Sequence, residues 1–120
     1  MASKRKAAFD PGVRELILAR SGGRCEMCGV FTDSGQFHHR NPRRMGGTRR
    51  DSLGRASNAM YLHQSCHERV ESNRHEAYVN GWLLYASDVP SECRVKLWDG
   101  WCFLQDDGTI KAAKAGAAGQ

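Results

Sequence analysis

Two ligand pairs with the same two-residue spacer, Cys25-x-x-Cys28 and His63-x-x-Cys66, constrain this chain more than any other feature. A tetrahedral structural Zn²⁺ takes four thiolate or imidazole ligands, and a two-residue spacer lets each pair span one edge of the tetrahedron. Gly22-Gly23 and Gly29 supply tight turns around the first pair. His63 is the least constrained of the four, and a water or His75 could take the fourth position. A metal staple suits a chain of 120 residues, which has room for one small domain and a limited core. The competing reading is a set of reduced thiols without metal. Cys93 and Cys102 lie outside the pattern and are expected to be small buried hydrophobes.

The rest of the chain divides into short elements. Asp10-Pro11 starts a helix, and Val13, Leu16 and Ile17 recur at the spacing of one buried face. Ser21-Gly22-Gly23 ends it. Residues 35–39 read as a strand anchored by Phe37, and residues 40–57 as a long polar loop with Pro42 and Gly46-Gly47. A second strand is expected near 58–62, then a helix to about Ser72. Asn73-Arg74-His75-Glu76 has the form of a capping box, and Asn80-Gly81 closes the helix it starts. Trp82-Leu83-Leu84-Tyr85 is an extended apolar run. Asp99-Gly100 between Arg94–Trp98 and Trp101–Gln105 signals a hairpin, whose Trp98 and Trp101 could complete the core, the favoured reading, or present a partner surface. Asp106-Asp107-Gly108 makes another turn. The organisation expected is a disordered basic N-terminus over 1–9, a core over 10–85, a hairpin extension packed on it over 86–111, and a disordered Ala/Gly-rich tail over 112–120.

No apolar run approaches the roughly 18 residues of a membrane span, and the basic start has no apolar stretch behind it, so the reading is a soluble, intracellular protein with no membrane partner. Intracellular cysteines at metal-ligand spacing favour metal over disulfides. Net charge is +5 with a pI of about 9.2, which suits an anionic partner such as nucleic acid. Arg40, Arg43, Arg44, Arg49, Arg50 and Arg55 crowd the long loop, and the planar guanidinium fork suits phosphate.

A structural zinc site leaves His38, His39 and His67 over. His67 directly follows Cys66, and neighbours on a helix point about 100° apart, so the two can serve different sites. Neighbours on a strand face opposite sides, so one of His38 and His39 can bind metal with His67 while the other faces elsewhere. Glu68 and Glu71 are read as a solvated face or as partners of an arginine, although Glu71, one turn from His67, could orient it.

His38-His39, Asn58 and Cys66-His67, with the loop His39-Arg40-Asn41-Pro42-Arg43-Arg44-Met45-Gly46-Gly47, resemble the HNH endonuclease family, in particular the small HNH proteins of actinobacteria and their phages. The family often carries Asp before the general-base histidine and Cys at the start of the second knuckle; this chain has His38 and His63. The resemblance covers residues 10–110. It implies an α+β fold with a ββα-metal core stapled by structural zinc on Cys25, Cys28, His63 and Cys66, flanked by an N-terminal helix and a C-terminal β-hairpin. It implies His39 as general base, His38 and His67 as ligands of one catalytic divalent ion (Mg²⁺, Mn²⁺, Ni²⁺ or Zn²⁺), and Asn58 as the residue that holds the loop and orients His39. Arg40, Arg43 and Arg44 would grip the DNA backbone. The expected activity is metal-dependent hydrolysis of DNA phosphodiesters, by nicking or double-strand cleavage, in the cytoplasm of a bacterium or a phage-infected host. Phage DNA packaging, with terminase or portal proteins as partners, is one setting for it. The alternative is a non-catalytic zinc-stabilised nucleic-acid-binding module, which would have no use for three spare histidines.

Overall fold

The structure is a computed structural model that describes residues 9–41 and 54–113. Pro11 opens α1 (Pro11–Ser21), and Gly22 closes it at φ 65° with its N–H on the Leu18 carbonyl. Of the predicted apolar face, Ile17 is fully buried and Val13 packs beside it, while Leu16 is left partly exposed. Phe9 departs from the expectation of a disordered N-terminus through residue 9. It is 3% exposed, and its carbonyl accepts a hydrogen bond from Arg14 Nη1 at 2.8 Å.

β1 (Gln36–His39) and β2 (Ala59–Leu62) pair antiparallel, with Phe37 opposite Tyr61, His38 opposite Met60 and His39 opposite Ala59. A turn of 3-10 helix, Ala56–Asn58, precedes β2. All four β2 residues are buried, which fits the apolar string Ala-Met-Tyr-Leu. α2 (Gln64–Ser72) follows at once and packs on both strands. α3 (Arg74–Val79) is capped as predicted, with the Asn73 side chain accepting the Glu76 N–H. The apolar run expected to be extended is not a strand: the chain turns at Gly81 and bends at Trp82 and Leu83, whose amides both donate to the Ala77 carbonyl. Gly81 has φ 79°, and an added Cβ would strike the Arg94 carbonyl oxygen, so glycine alone fits.

The C-terminal region is a three-stranded antiparallel sheet in the order β3-β4-β5: β3 (Val95–Leu97), β4 (Gly100–Leu104) and β5 (Ile110–Ala112). The third strand was not expected. Its residues are all exposed, so they carry no burial alternation; the turn before it, with Asp107 Oδ1 accepting from both the amide and the hydroxyl of Thr109, sets it in place. Val95, Leu97, Cys102 and Leu104 share one apolar cluster with Met60, Leu62, Val70 and Leu83. Trp98, expected in the core, is half exposed, and Trp98 and Trp101 carry Arg24 and Arg94 over their ring faces. The molecule is thus a small α+β fold of helices and antiparallel sheets. Among the described residues no helix is long and apolar enough to cross a membrane.

Two buried arginines join these pieces. Arg20 makes a two-point bond to Glu26, at 2.8 Å for each contact, and donates to the carbonyls of Ala56 and Ala59. Arg40 is fully buried. Its guanidinium donates to the carbonyls of Gly81 (2.9 Å), Ser57 (2.8 Å), Pro90 (3.2 Å) and Cys93 (3.0 Å). Burial pushes its pKa down to about 10, which still leaves it cationic at neutral pH.

Candidate metal centres

The first centre is built of sulfur. Cys25, Cys28 and Cys66 bring their Sγ atoms within 4.8 Å of one another, with Cys25 and Cys66 buried and Cys28 exposed. The knuckle is held by its backbone. Cys25 N–H donates to Val30, Gly29 N–H donates back to Cys25, and Gly29 turns at φ 81°. Glu26 N–H bonds the Tyr61 carbonyl, and the Glu26 carbonyl accepts the Trp98 N–H, so the knuckle is laced to β2 and to the hairpin turn. Cys66 comes from the first turn of α2.

Crowding shows in the acidity of Cys66. Burial raises the Cys25 thiol, but hydrogen bonds from the backbone of His63, Cys28 and Met27 outweigh it and leave it below its ordinary value. Cys66 is pushed up to about 12 by burial, by its hydrogen bond with Cys25 and by repulsion from the neighbouring sulfurs. Three thiolates this close repel each other unless a cation sits among them, and soft sulfur donors suit zinc. The group therefore could bind a metal such as zinc. His63, expected as the fourth ligand, is not in the group. It stands at the N-cap of α2, where its backbone rather than its ring meets Cys25. His75 is exposed on α3 and is likewise outside it.

The second centre is built of nitrogen and oxygen. His38, His67 and Glu71 bring one donor atom each within 4.8 Å of one another. β1 supplies His38, and α2 supplies His67 and Glu71 one turn apart. His38 is 4% exposed, and its Nε2 lies 2.8 Å from the Trp82 carbonyl oxygen. A carbonyl only accepts, so Nε2 carries the proton and the lone pair falls on Nδ1. Burial holds the His38 pKa down at about 4, and repulsion from His67, His39 and Arg40 adds to this, so the ring is neutral at pH 7. The His38 and His67 rings meet edge to face at 5.3 Å. Glu71 Oε2 is 3.9 Å from His67 Nε2, and its Oε1 accepts from Arg74 Nη1 at 3.1 Å. Two imidazoles and a carboxylate suit a divalent ion of borderline hardness.

A cavity of about 310 Å³ opens on this group, lined by Phe37, His38, His39, His67, Glu71, Arg74 and Leu83. His38 and His39 both line it, with their rings toward different neighbours as strand alternation predicts: the His38 ring meets His67, and the other side of the strand, with Phe37, belongs to His39. Its ring stacks on Phe9, with centroids 4.1 Å apart and planes 18° apart. Asn58 is fully buried. Its Oδ1 accepts the Asn41 N–H at 2.8 Å and its carbonyl accepts the Arg40 N–H at 2.8 Å, which fastens the chain just beyond His39.

Arg40 cannot serve as the expected phosphate ligand, because its guanidinium is spent on four backbone carbonyls in the interior. Arg43 and Arg44 lie outside the described residues. Glu71 is exposed and paired with Arg74, as the sequence reading of a solvated face or an arginine partner has it, and it also joins the donor group. The signal for it was its i, i+4 spacing from His67.

Comparison of the chain with family models, with curated proteins and with solved structures finds no match.

Proposed function

We propose that the protein is a metal-dependent DNA endonuclease of the HNH type, with β1, β2 and α2 as its ββα-metal core. The observation that carries this reading is a cavity lined by His39 together with the His38, His67 and Glu71 donor group. Antiparallel strands followed directly by a helix, with Asn58 clamping the loop next to His39, support it.

In this reading His38 presents its Nδ1 lone pair, and His67 and Glu71 complete the donor set. A divalent ion bound there would neutralise charge on the scissile phosphate and on the departing 3′ oxygen. His39 takes a proton from water as the water oxygen attacks phosphorus; the P–O3′ bond breaks and its electron pair leaves on the 3′ oxygen. Asn58 fixes the chain that carries His39. Arg43 and Arg44 contact the DNA backbone, and Arg74 adds a guanidinium at the rim of the cavity. Structural zinc sits on Cys25, Cys28 and Cys66, with the fourth position filled by water or by a turned His63 ring. The setting is the cytoplasm of a bacterium or an infected host, with phage DNA packaging as one role.

Supercoiled plasmid incubated with the protein and Mg²⁺, Mn²⁺, Ni²⁺ or Zn²⁺ tests this. Nicking is expected with at least one ion, and His39→Ala should reduce it by roughly 10²–10⁴-fold. DNA binding without cleavage under every ion would instead favour a non-catalytic zinc-stabilised binding module.

A further inference from the structure

Phe9 lies ahead of α1 in a segment without regular structure, yet it is 3% exposed. Two things hold it there. Arg14 ties its carbonyl, and Ile17, Ala59 and Tyr61 belong to the apolar cluster that encloses its side chain. Ala59 is also the cross-strand partner of His39. One face of the Phe9 ring is therefore presented to the imidazole of His39 at 4.1 Å and 18°.

We propose that Phe9 is a positioning residue for His39. This rests on the reading of His39 as general base. An imidazole at a strand end can turn about its Cβ–Cγ bond, and that terminal torsion is broad. A flat ring at stacking distance removes this freedom, because the imidazole cannot turn out of the stacking plane without striking it or abandoning the contact. The ring nitrogens lie in the imidazole plane, so fixing the plane fixes the directions along which His39 can accept a proton. His38 is oriented differently: its ring is hydrogen-bonded to the Trp82 carbonyl and meets the His67 ring edge to face.

Phe9 also fills space, so the test separates shape from volume. Phe9→Leu keeps an apolar side chain but removes the flat face; Phe9→Tyr keeps the face. Steady-state nicking would be measured for both beside the wild type, with melting temperatures. The imidazole C–H resonances of His39 would be followed by NMR and assigned through His39→Gln. The expected result is a folded Phe9→Leu protein whose kcat falls roughly 10- to 100-fold with KM changed less than about threefold, and whose His39 resonances lose their ring-current shift. Phe9→Tyr should restore both. Wild-type turnover in Phe9→Leu, or failure of Phe9→Tyr to rescue, would overturn the proposal. If the wild type nicks under no ion, the nuclease reading fails by itself and the NMR arm decides the stack. Unchanged His39 resonances in Phe9→Leu would then overturn it, and their selective movement would support it.

Discussion

The sulfur group and the histidine group share one helix, and their contributions from it, Cys66 and His67, are consecutive; they differ in what holds them. Cys25 and Cys28 are fixed by a backbone turn whose amides and carbonyls are hydrogen-bonded to β2 and to the β3–β4 turn, and Cys66 by the backbone of α2. The histidine group is fixed through its own side chains: the His38 ring on the Trp82 carbonyl, Glu71 on Arg74, and the His39 ring on Phe9. It also opens onto a cavity, whereas two of the three sulfurs are buried. A backbone-built, closed site suits a structural ion. A side-chain-built, open site leaves room for a substrate beside the ion. The rotation of about 100° between successive helical residues is what lets one turn of α2 serve both.

Breaking each site should therefore have unequal consequences. Cys25→Ser is expected to release zinc and unfold the protein. Structural zinc contributes on the order of 10 kcal/mol in small zinc domains, more than most small domains have in reserve. His67→Ala should stay folded and lose nicking. Circular dichroism and metal content, measured on both, check the contrast; unfolding of both would mean the sites are not separable.

Arg40 gives the next largest effect. Arg40→Met keeps much of the volume but strips four carbonyls of their donor, at a cost of about 3–5 kcal/mol in denaturant unfolding. An exposed, phosphate-gripping arginine would instead change DNA affinity with little change in stability.

His38 sharpens the comparison through pH. Its folded pKa of about 4 lies below the ordinary 6.5, so the unfolded chain binds the proton more tightly. The stability this represents is complete above pH 6.5 and is lost as pH falls toward 4, by on the order of 3 kcal/mol. In metal-free protein, His38→Gln should flatten that window of a urea-unfolding pH profile. An unchanged profile would mean that His38 is not buried as a neutral ring.

The smallest effect belongs to the α2–α3 surface, where Arg69 bonds Glu76 at 3.0 and 2.5 Å but is itself half exposed. Arg69→Ala should move the melting temperature by no more than about 3 °C, and nicking not at all.

Much of this was legible in the sequence because it rests on local rules. The Pro11 helix start, the Asn73–Glu76 cap, the hairpin near Asp99-Gly100 and the Cys25/Cys28/Cys66 grouping each follow from spacing along the chain. What escaped depends on contacts between distant segments. Arg40 looks like its loop neighbours until Gly81, Ser57, Pro90 and Cys93 surround it. Glu71, exposed and paired with Arg74, shows as a donor only once β1 brings His38 against α2. Phe9 looks like the end of a basic tail until His39 offers it a ring. β5 left no pattern because none of its residues is buried.

Native mass spectrometry of wild type and His67→Ala, titrated with Zn²⁺ and Mn²⁺, tests most directly the claim that adjacent residues serve two separate centres. Two ions per wild-type chain are predicted, with one tightly held zinc retained and the second ion lost in the variant. A wild type that takes only one ion, or a variant that loses both, would contradict it.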